Sequence, residues 1–488
     1  MLIYGATQAI LTLSNIRKKM FKITKNKLAV SFLSVLLAMF VLSNLSLGAD
    51  HASQKVRSET SLEKTPPLSF TLNQAVDHAL ANNPDLQIAI ERISQAEAQL
   101  GVALSAFYPQ ITARASYEHS NNPAQVFSMI LSQRDFNANS IQDINNPGYR
   151  QNFRPEIIGR LSLFRGGQDY HQSKAAELGI DAAEFERSSV RNALIEAVTT
   201  SYYTYLAALE AQKVARDSIA AITSELNQTT LRYEAGTALK SDVLSLDVKL
   251  AETQDTEIRA TNSIELSKTS IANLLGLSGH QAFTILSPTS ILTKPKPMGS
   301  FTELLETALL ERPEIKAAAK QVKIIEHQLK IEQGAYLPKV DAFVSYGQNS
   351  QHPGFSGQRD NVFAGVAVEM NLFSGFNTKQ RINVTERKLA EVRETERKTK
   401  LAIEQEVKIS FLKLEEALAR LRVTEASVRA ADEAFRLVNE ERRAGMVTVT
   451  RYIESEVAKN KAQSNSIAAH YDALNAETTL KKAIGDWR

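Results

Sequence analysis

TLNQAVDHALANNP at residues 71–84 and SFTELLETALLERP at residues 300–313 are one segment written twice, and the fold follows from extending the match outward. Thr71 to Tyr117 aligns without gaps on Ser300 to Tyr346 at an offset of 229, so that Ala79, Leu80, Pro84 and Pro109 meet Ala308, Leu309, Pro313 and Pro338. A second gapless block begins with Leu163 on Leu372 at an offset of 209, and Phe164, Gly166, Val198, Gly236 and Gly276 meet Phe373, Gly375, Val407, Gly445 and Gly485. Two collinear blocks mark an internal duplication. The fall in offset by 20 puts an insertion in the first copy, within the Asn-rich stretch 119–152, which reads as a loop. Residues 279–299, with Pro288, Pro295 and Pro297, read as the linker between copies.

Each copy has the order helix, strand, loop, strand, long helical hairpin. The first copy spans 70–278 and the second 300–488. A helix opens at Phe70 and is expected to run until Pro109 stops it. Strands are expected at about 110–118, 153–164, 339–347 and 361–372, each with period-2 alternation. Ile111, Ala113, Ala115 and Tyr117 share one face; Thr112, Arg114, Ser116 and Glu118 share the other. The same alternation sets Pro155, Ile157, Gly159, Leu161 and Leu163 against Arg154, Glu156, Arg160 and Ser162. Val340, Ala342, Val344 and Tyr346 form a third apolar row, and Val362, Ala364, Val366, Val368 and Met370 a fourth. Such strands suit a half-buried sheet or a membrane barrel, apolar toward lipid and polar toward the lumen. Four strands cannot close a barrel, and lipid does not tolerate an open sheet edge. If these strands span a membrane, the chain oligomerises.

The helices carry a 4-3-4 apolar seam, Val198, Tyr202, Tyr205 and Leu209, repeated 209 residues on by Val407, Phe411, Leu414 and Leu418. No proline interrupts 167–235, a segment that as a continuous helix extends on the order of 100 Å. Gly236 and Gly445 stand where each hairpin reverses, with tips expected at about 233–242 and 442–454.

Composition narrows the function. Lys plus Arg number 57 against 54 Asp plus Glu, a balance unlike the concentrated basic face of a nucleic-acid binder. With no cysteine there is no disulfide framework, thiol catalysis or Cys-bound zinc, and no cysteine-linked lipid anchor. The eight histidines are scattered, and phosphate-loop and nucleophile-elbow motifs are absent, so no enzyme and no cofactor are expected. Lys18, Lys19, Lys22, Lys25 and Lys27 precede an apolar run from Leu28 to Leu47 and small residues ending at Ala49. Residues 1–49 therefore read as an export signal with an N-terminal extension before Met20, followed by an N-terminal segment 50–69.

In order, spacing and duplication, these features resemble the TolC family of outer-membrane efflux proteins over nearly the whole chain after the signal. The carrying segments are Ala79-Leu-Ala-Asn-Asn-Pro84, Leu163-Phe-Arg-Gly-Gly167 and Leu372-Phe-Ser-Gly-Phe376, with the tips Tyr233–Leu244 and Arg443–Glu454. The resemblance implies a mainly α protein with transmembrane β. Three subunits of four strands each would close a 12-stranded barrel in the outer membrane of a Gram-negative cell. Long coiled-coil-like helices would continue it as a periplasmic tunnel, with the stretch 119–152 as an extracellular loop. It implies an exit duct for efflux or type I secretion, partnered by a periplasmic adaptor and an inner-membrane pump or ABC exporter. The competing reading of the residues is a periplasmic coiled-coil protein without a channel.

The resemblance also assigns the tips. Gly236, Thr237, Gly445 and Met446 would meet the adaptor, and Asp242 matches an acidic position of the family's first tip. In the second tip, a pair of family aspartates one turn apart is replaced by Arg451 and Glu454. Asp242, Arg451 and Glu454 are thus the expected constriction, with an Arg451–Glu454 pair at i, i+3.

Overall fold

The computed structural model describes residues 68–278, 281–286, 295–355 and 358–487; the expected export signal and parts of the linker lie outside them. The first copy contains β1 (Leu68–Phe70), α1 (Leu72–Asn82), α2 (Pro84–Ser105), β2 (Gln110–Ser120), α3 (Pro123–Ser132), α4 (Asn139–Gln142), β3 (Arg150–Arg165), α5 (Gln168–Glu234) and α6 (Lys240–Leu274). After β4 (Phe283–Ile285) come α7 (Phe301–Glu311), α8 (Pro313–Gly334), β5 (Lys339–Gln348), β6 (Asp360–Glu369), α9 (Asn377–Arg443) and α10 (Val449–Ile484). The offsets of 229 and 209 carry over to the elements: α1 and α7 have 11 residues each, α2 and α8 22 each, and α5 and α9 67 each.

The helix expected to run unbroken to Pro109 is two helices in each copy. A proline disfavours helical geometry in the residue before it. Asn83 is accordingly extended (φ −68°, ψ 128°), as is Arg312 (φ −60°, ψ 122°). Both breaks are clasped. The Asn83 amide donates to the Leu274 carbonyl (2.9 Å) and Arg312 to the Ala483 carbonyl (3.0 Å), so each returning hairpin helix is tied to the break in its own copy. Capping boxes fix the starts of α1 and α7, Thr71 with Gln74 and Ser300 with Glu303.

The stretch expected as a loop also differs. β2 extends to Ser120, and α3 and α4 follow, α3 with Val126 and Met129 buried. Asn122 caps α3 and Pro123 occupies its first turn, a helix start that polar composition obscured.

β2, β3, β5 and β6 form one antiparallel sheet in that order. Residues directly opposite in an antiparallel pair share a face. Ala113 opposes Ile157, Ile157 opposes Tyr346, and Tyr346 opposes Val362, so the apolar rows of all four strands fall on one side. A register irregularity between Ser162 and Phe164 sets Phe164 opposite Val340, so Leu163 drops out of the paired apolar row. A separate parallel pair, β1 with β4, ties the linker to the start of the first copy.

The helical seams are core. Val198, Tyr202 and Tyr205 pack with Ala75, Ala79, Ile271 and Leu275, while Val407 and Leu414 pack with Leu304, Ala308, Leu480 and Ala483. Near the tips Ile222, Leu246 and Val449 form a smaller cluster joining both hairpins. Among the described residues no helix is long and apolar enough to cross a membrane.

Where β3 meets α5 the backbone crowds α8. Gly166 has φ +61°, and a Cβ there would overlap the Gly334 carbonyl oxygen; its repeat mate Gly375 has the same φ with open space around it. Gly375→Ala should therefore cost only the left-handed penalty of about 1–2 kcal/mol. Gly166→Ala should lower the thermal midpoint distinctly further, and a melt of the two variants side by side checks this.

Close by, His171 on α5 faces His327 on α8, Nδ1 to Nδ1 3.0 Å. Burial is the main cause lowering both pKa values below 6.5. The His327 and Lys330 charges add to this at His171, and those of Lys330 and Lys174 at His327, where Glu326 pulls the other way. The unfolded chain then takes protons first as pH falls below 6.5, so stability present above that pH is lost toward the depressed folded values. Melting temperature should fall on acidification through this window, and less steeply in His327→Gln.

Candidate functional site: the hairpin tips and the sheet

The two tips are built alike. α5 ends at Glu234, Gly236 reverses the chain at φ +76°, and α6 starts at Lys240; α9 ends at Arg443, Gly445 reverses it at φ +75°, and α10 starts at Val449. In each, the residue after the glycine closes the helix end: Thr237 N–H donates to the Arg232 carbonyl (2.8 Å) and Met446 N–H to the Glu441 carbonyl (2.9 Å). The second tip restarts on Thr448, whose hydroxyl accepts from the Arg451 N–H (3.2 Å). Met446 and Leu239 lie exposed at the tips, 72% and 68% accessible.

The expected constriction residues are not gathered into one network within a single chain. Arg451 and Glu454 approach to 3.6 Å, with both side chains about 60% exposed, a geometry that contributes little to stability. Asp242 stands half-buried in the first turn of α6, where a carboxylate suits the positive helix end. Among the described residues it has no ion-pair partner.

Behind the tips lies a buried polar seam that sequence reading missed. Arg442 on α9 is 9% exposed and donates from Nε to Glu225 Oε1 on α5 (2.8 Å) and from a terminal nitrogen to Thr229 Oγ1 (3.3 Å). About two turns deeper along α5, Glu456 on α10 is buried and accepts hydrogen bonds from the Ser218 hydroxyl on α5 and the Asn460 amide. Tyr452, between them, has its phenol pushed up to about 12, chiefly by burial, with the Glu225 and Glu456 carboxylates adding to it. These bonds fasten the first hairpin to the second. The duplication carries a signal of it: the repeat mates of Arg442 and Glu225 are Tyr233 and Ala434, so the charge pair that joins the two copies has no counterpart at the equivalent positions.

At the opposite end of the chain's helices the sheet has two unlike faces. On the polar one Glu156 is buried between Arg114 and Arg154. On the other, Ile111, Tyr117, Ile157, Tyr346, Val362 and Val368 are all at least half exposed, from 52% to 70%. Among the described residues, β2 and β6 each have a strand partner on one side only.

Comparison with known proteins fits this architecture. Residues 75–277 and 304–486 match the family described as outer membrane efflux protein, and the chain belongs to that family. It is 23% identical over 440 residues to the outer membrane efflux protein BepC of Brucella suis biovar 1, covering 89% of each chain. It is 24% identical to the pyoverdine export outer membrane protein OpmQ of Pseudomonas aeruginosa, with 85% of each covered. The Campylobacter jejuni CmeC outer membrane channel has the same fold, with a TM-score of 0.74 at 17% identity over 91% of this chain and 94% of that one.

Truncating one member of a buried, hydrogen-bonded ion pair leaves the other charge stranded. Arg442→Ala should destabilise the tip region by about 3–5 kcal/mol, whereas Arg451→Ala should change stability by under about 1 kcal/mol. Hydrogen exchange of α5 amides around Thr229 separates the two.

Proposed function

We propose that three copies of this chain close a 12-stranded barrel in the outer membrane and continue it through the periplasm as a helical tunnel. As a member of the outer membrane efflux proteins, the chain serves as an exit duct in the outer membrane. The observation that carries closure by further copies is the sheet: four antiparallel strands, an exposed apolar face shared by all of them, and one unpaired edge at β2 and another at β6 among the described residues. Lipid requires every backbone donor and acceptor to be paired, so β6 of one copy meets β2 of the next until the ring closes. The apolar face then meets lipid, and Arg114, Glu156 and Arg154 line a wet lumen.

The duct catalyses nothing. Solutes arrive from an inner-membrane pump or exporter through a periplasmic adaptor, which docks on the exposed tips around Gly236, Thr237, Gly445 and Met446. Asp242, Arg451 and Glu454 ring the periplasmic mouth. Arg451 in a position facing the axis lowers the negative potential that a purely acidic ring creates, and so weakens cation preference. The buried Arg442–Glu225 link holds each chain's two hairpins at one spacing behind that ring.

Two measurements test this. Val366→Arg, on the apolar face, should cost about 2–4 kcal/mol and reduce the heat-modifiable oligomer, while Ser116→Arg on the polar face should leave assembly intact and shift ion selectivity. In planar bilayers Arg451→Ala should raise cation selectivity and Glu454→Ala lower it. Unchanged conductance and selectivity in both would move the constriction elsewhere.

A further inference from the structure

The extra residues of the first copy fold onto one particular face of the sheet, and the strand register identifies which. In β3, Arg150 and Asn152 lie on the same side as Arg154 and Glu156, because side chains two apart in a strand share a face. That is the polar side. The end of α3 is fastened there. The Gln133 amide, fully buried, donates to Asn152 Oδ1 (3.0 Å) and to the Gln151 carbonyl (2.8 Å), and its oxygen accepts from Arg150 Nε (2.8 Å). Arg150 also pairs with Asp135 at 2.6 Å, and Asn152 donates to Asn349 beyond the end of β5 (2.9 Å). The segment then reaches the far strand: Arg134 donates to the Asp360 carbonyl at the start of β6 (2.8 Å), and Arg359 lies 3.8 Å from Asp135.

All these anchors sit at the ends of the strands away from the long helices: the start of β3, the end of β5 and the start of β6. The insert therefore crosses the sheet at its outer rim, on the polar side, held by a buried hydrogen-bonded network.

We propose that residues 121–149 are an inward-folded cap that sets the size limit of the duct's outer mouth, with Gln133, Asp135 and Arg150 as its positioning residues. This rests on the trimeric barrel proposed above. Twelve strands about 4.8 Å apart and tilted by about 40° enclose a cylinder roughly 24 Å across between backbones. Three helices of about 10 Å diameter, side by side, fill a circle of roughly 21 Å. One insert per copy is thus enough to close most of the mouth. The second copy, 20 residues shorter at this point, brings no counterpart. The solutes excluded are those too wide to pass between the caps, whatever their charge.

The test uses the absence of cysteine from the chain. Phe136→Cys places a single thiol on the insert at a half-exposed position. It is labelled with a bulky polyethylene-glycol maleimide, and single-channel conductance is read in planar bilayers. A second variant replaces 123–148 by a short Gly-Ser turn, and a third unties the cap with Gln133→Ala and Arg150→Ala. The cap predicts that labelling lowers conductance, and that deletion raises it about two- to five-fold and admits wider polyethylene glycols from the insert side. The untied variant should lie between deletion and wild type. Wild-type conductance in the labelled protein overturns the proposal while leaving the channel standing. If the deletion variant does not assemble, the label decides alone. If neither wild type, label nor deletion conducts, the channel reading falls and the cap with it.

Discussion

A four-stranded sheet with two open edges and one apolar face is the constraint from which the rest follows. In water such an edge is solvated and the apolar face must be covered. In lipid the face is satisfied and the edges are not. The register that brings Ala113, Ile157, Tyr346 and Val362 to one side settles which solvent the sheet suits. It also makes the chain a fraction of a closed object. The duplication supplies half of the closure within one polypeptide, since β3 of the first copy pairs with β5 of the second.

The helices answer a different demand. α5 and α9 are too long for a globular core to cover, and their burial comes from local seams rather than from one centre. Apolar clusters dominate where the hairpins return to the helix breaks, around Val198 and Val407. There the clasps from Asn83 and Arg312 also use up carbonyls that the returning helix ends leave free. Toward the tips the packing between hairpins becomes polar, with Arg442, Glu225, Ser218 and Glu456 in place of aliphatic side chains. A buried pair of charges gives little net stability against an apolar substitute, but it tolerates few alternative arrangements. Fixed spacing at the tips is the property that the proposed constriction needs.

The two copies differ chiefly at the ends of the molecule. α1, α2 and α5 equal α7, α8 and α9 in length, and α6 and α10 differ by one residue, whereas the insert between β2 and β3 belongs to the first copy and the Arg442–Glu225 pair, which joins the copies, has no repeat-related counterpart. Both differences lie toward the ends of the helices and strands, the insert at the strand ends away from the long helices and the charge pair behind the hairpin tips.

The duplication, the four alternating strands, the apolar seams and the glycine reversals are all legible in the residues, because each is written in local periodicity or in collinear offsets. The breaks at Asn83 and Arg312 are equally local, since Pro84 and Pro313 disfavour helical geometry in the residue before them just as Pro109 does. Of the candidate site, the location of Asp242, Arg451 and Glu454 near the starts of α6 and α10 is legible, their role remains the proposal above, and the Arg451–Glu454 approach is an exposed pair. Tertiary structure alone decided the buried seam and the lie of the insert. Arg442 and Glu225 are 217 residues apart, and Gln133 and Asn152 are joined only once α3 folds back on β3. Periodicity records which face of one element is apolar. It carries no information on which distant polar group will satisfy a buried donor, because that depends on how two elements pack.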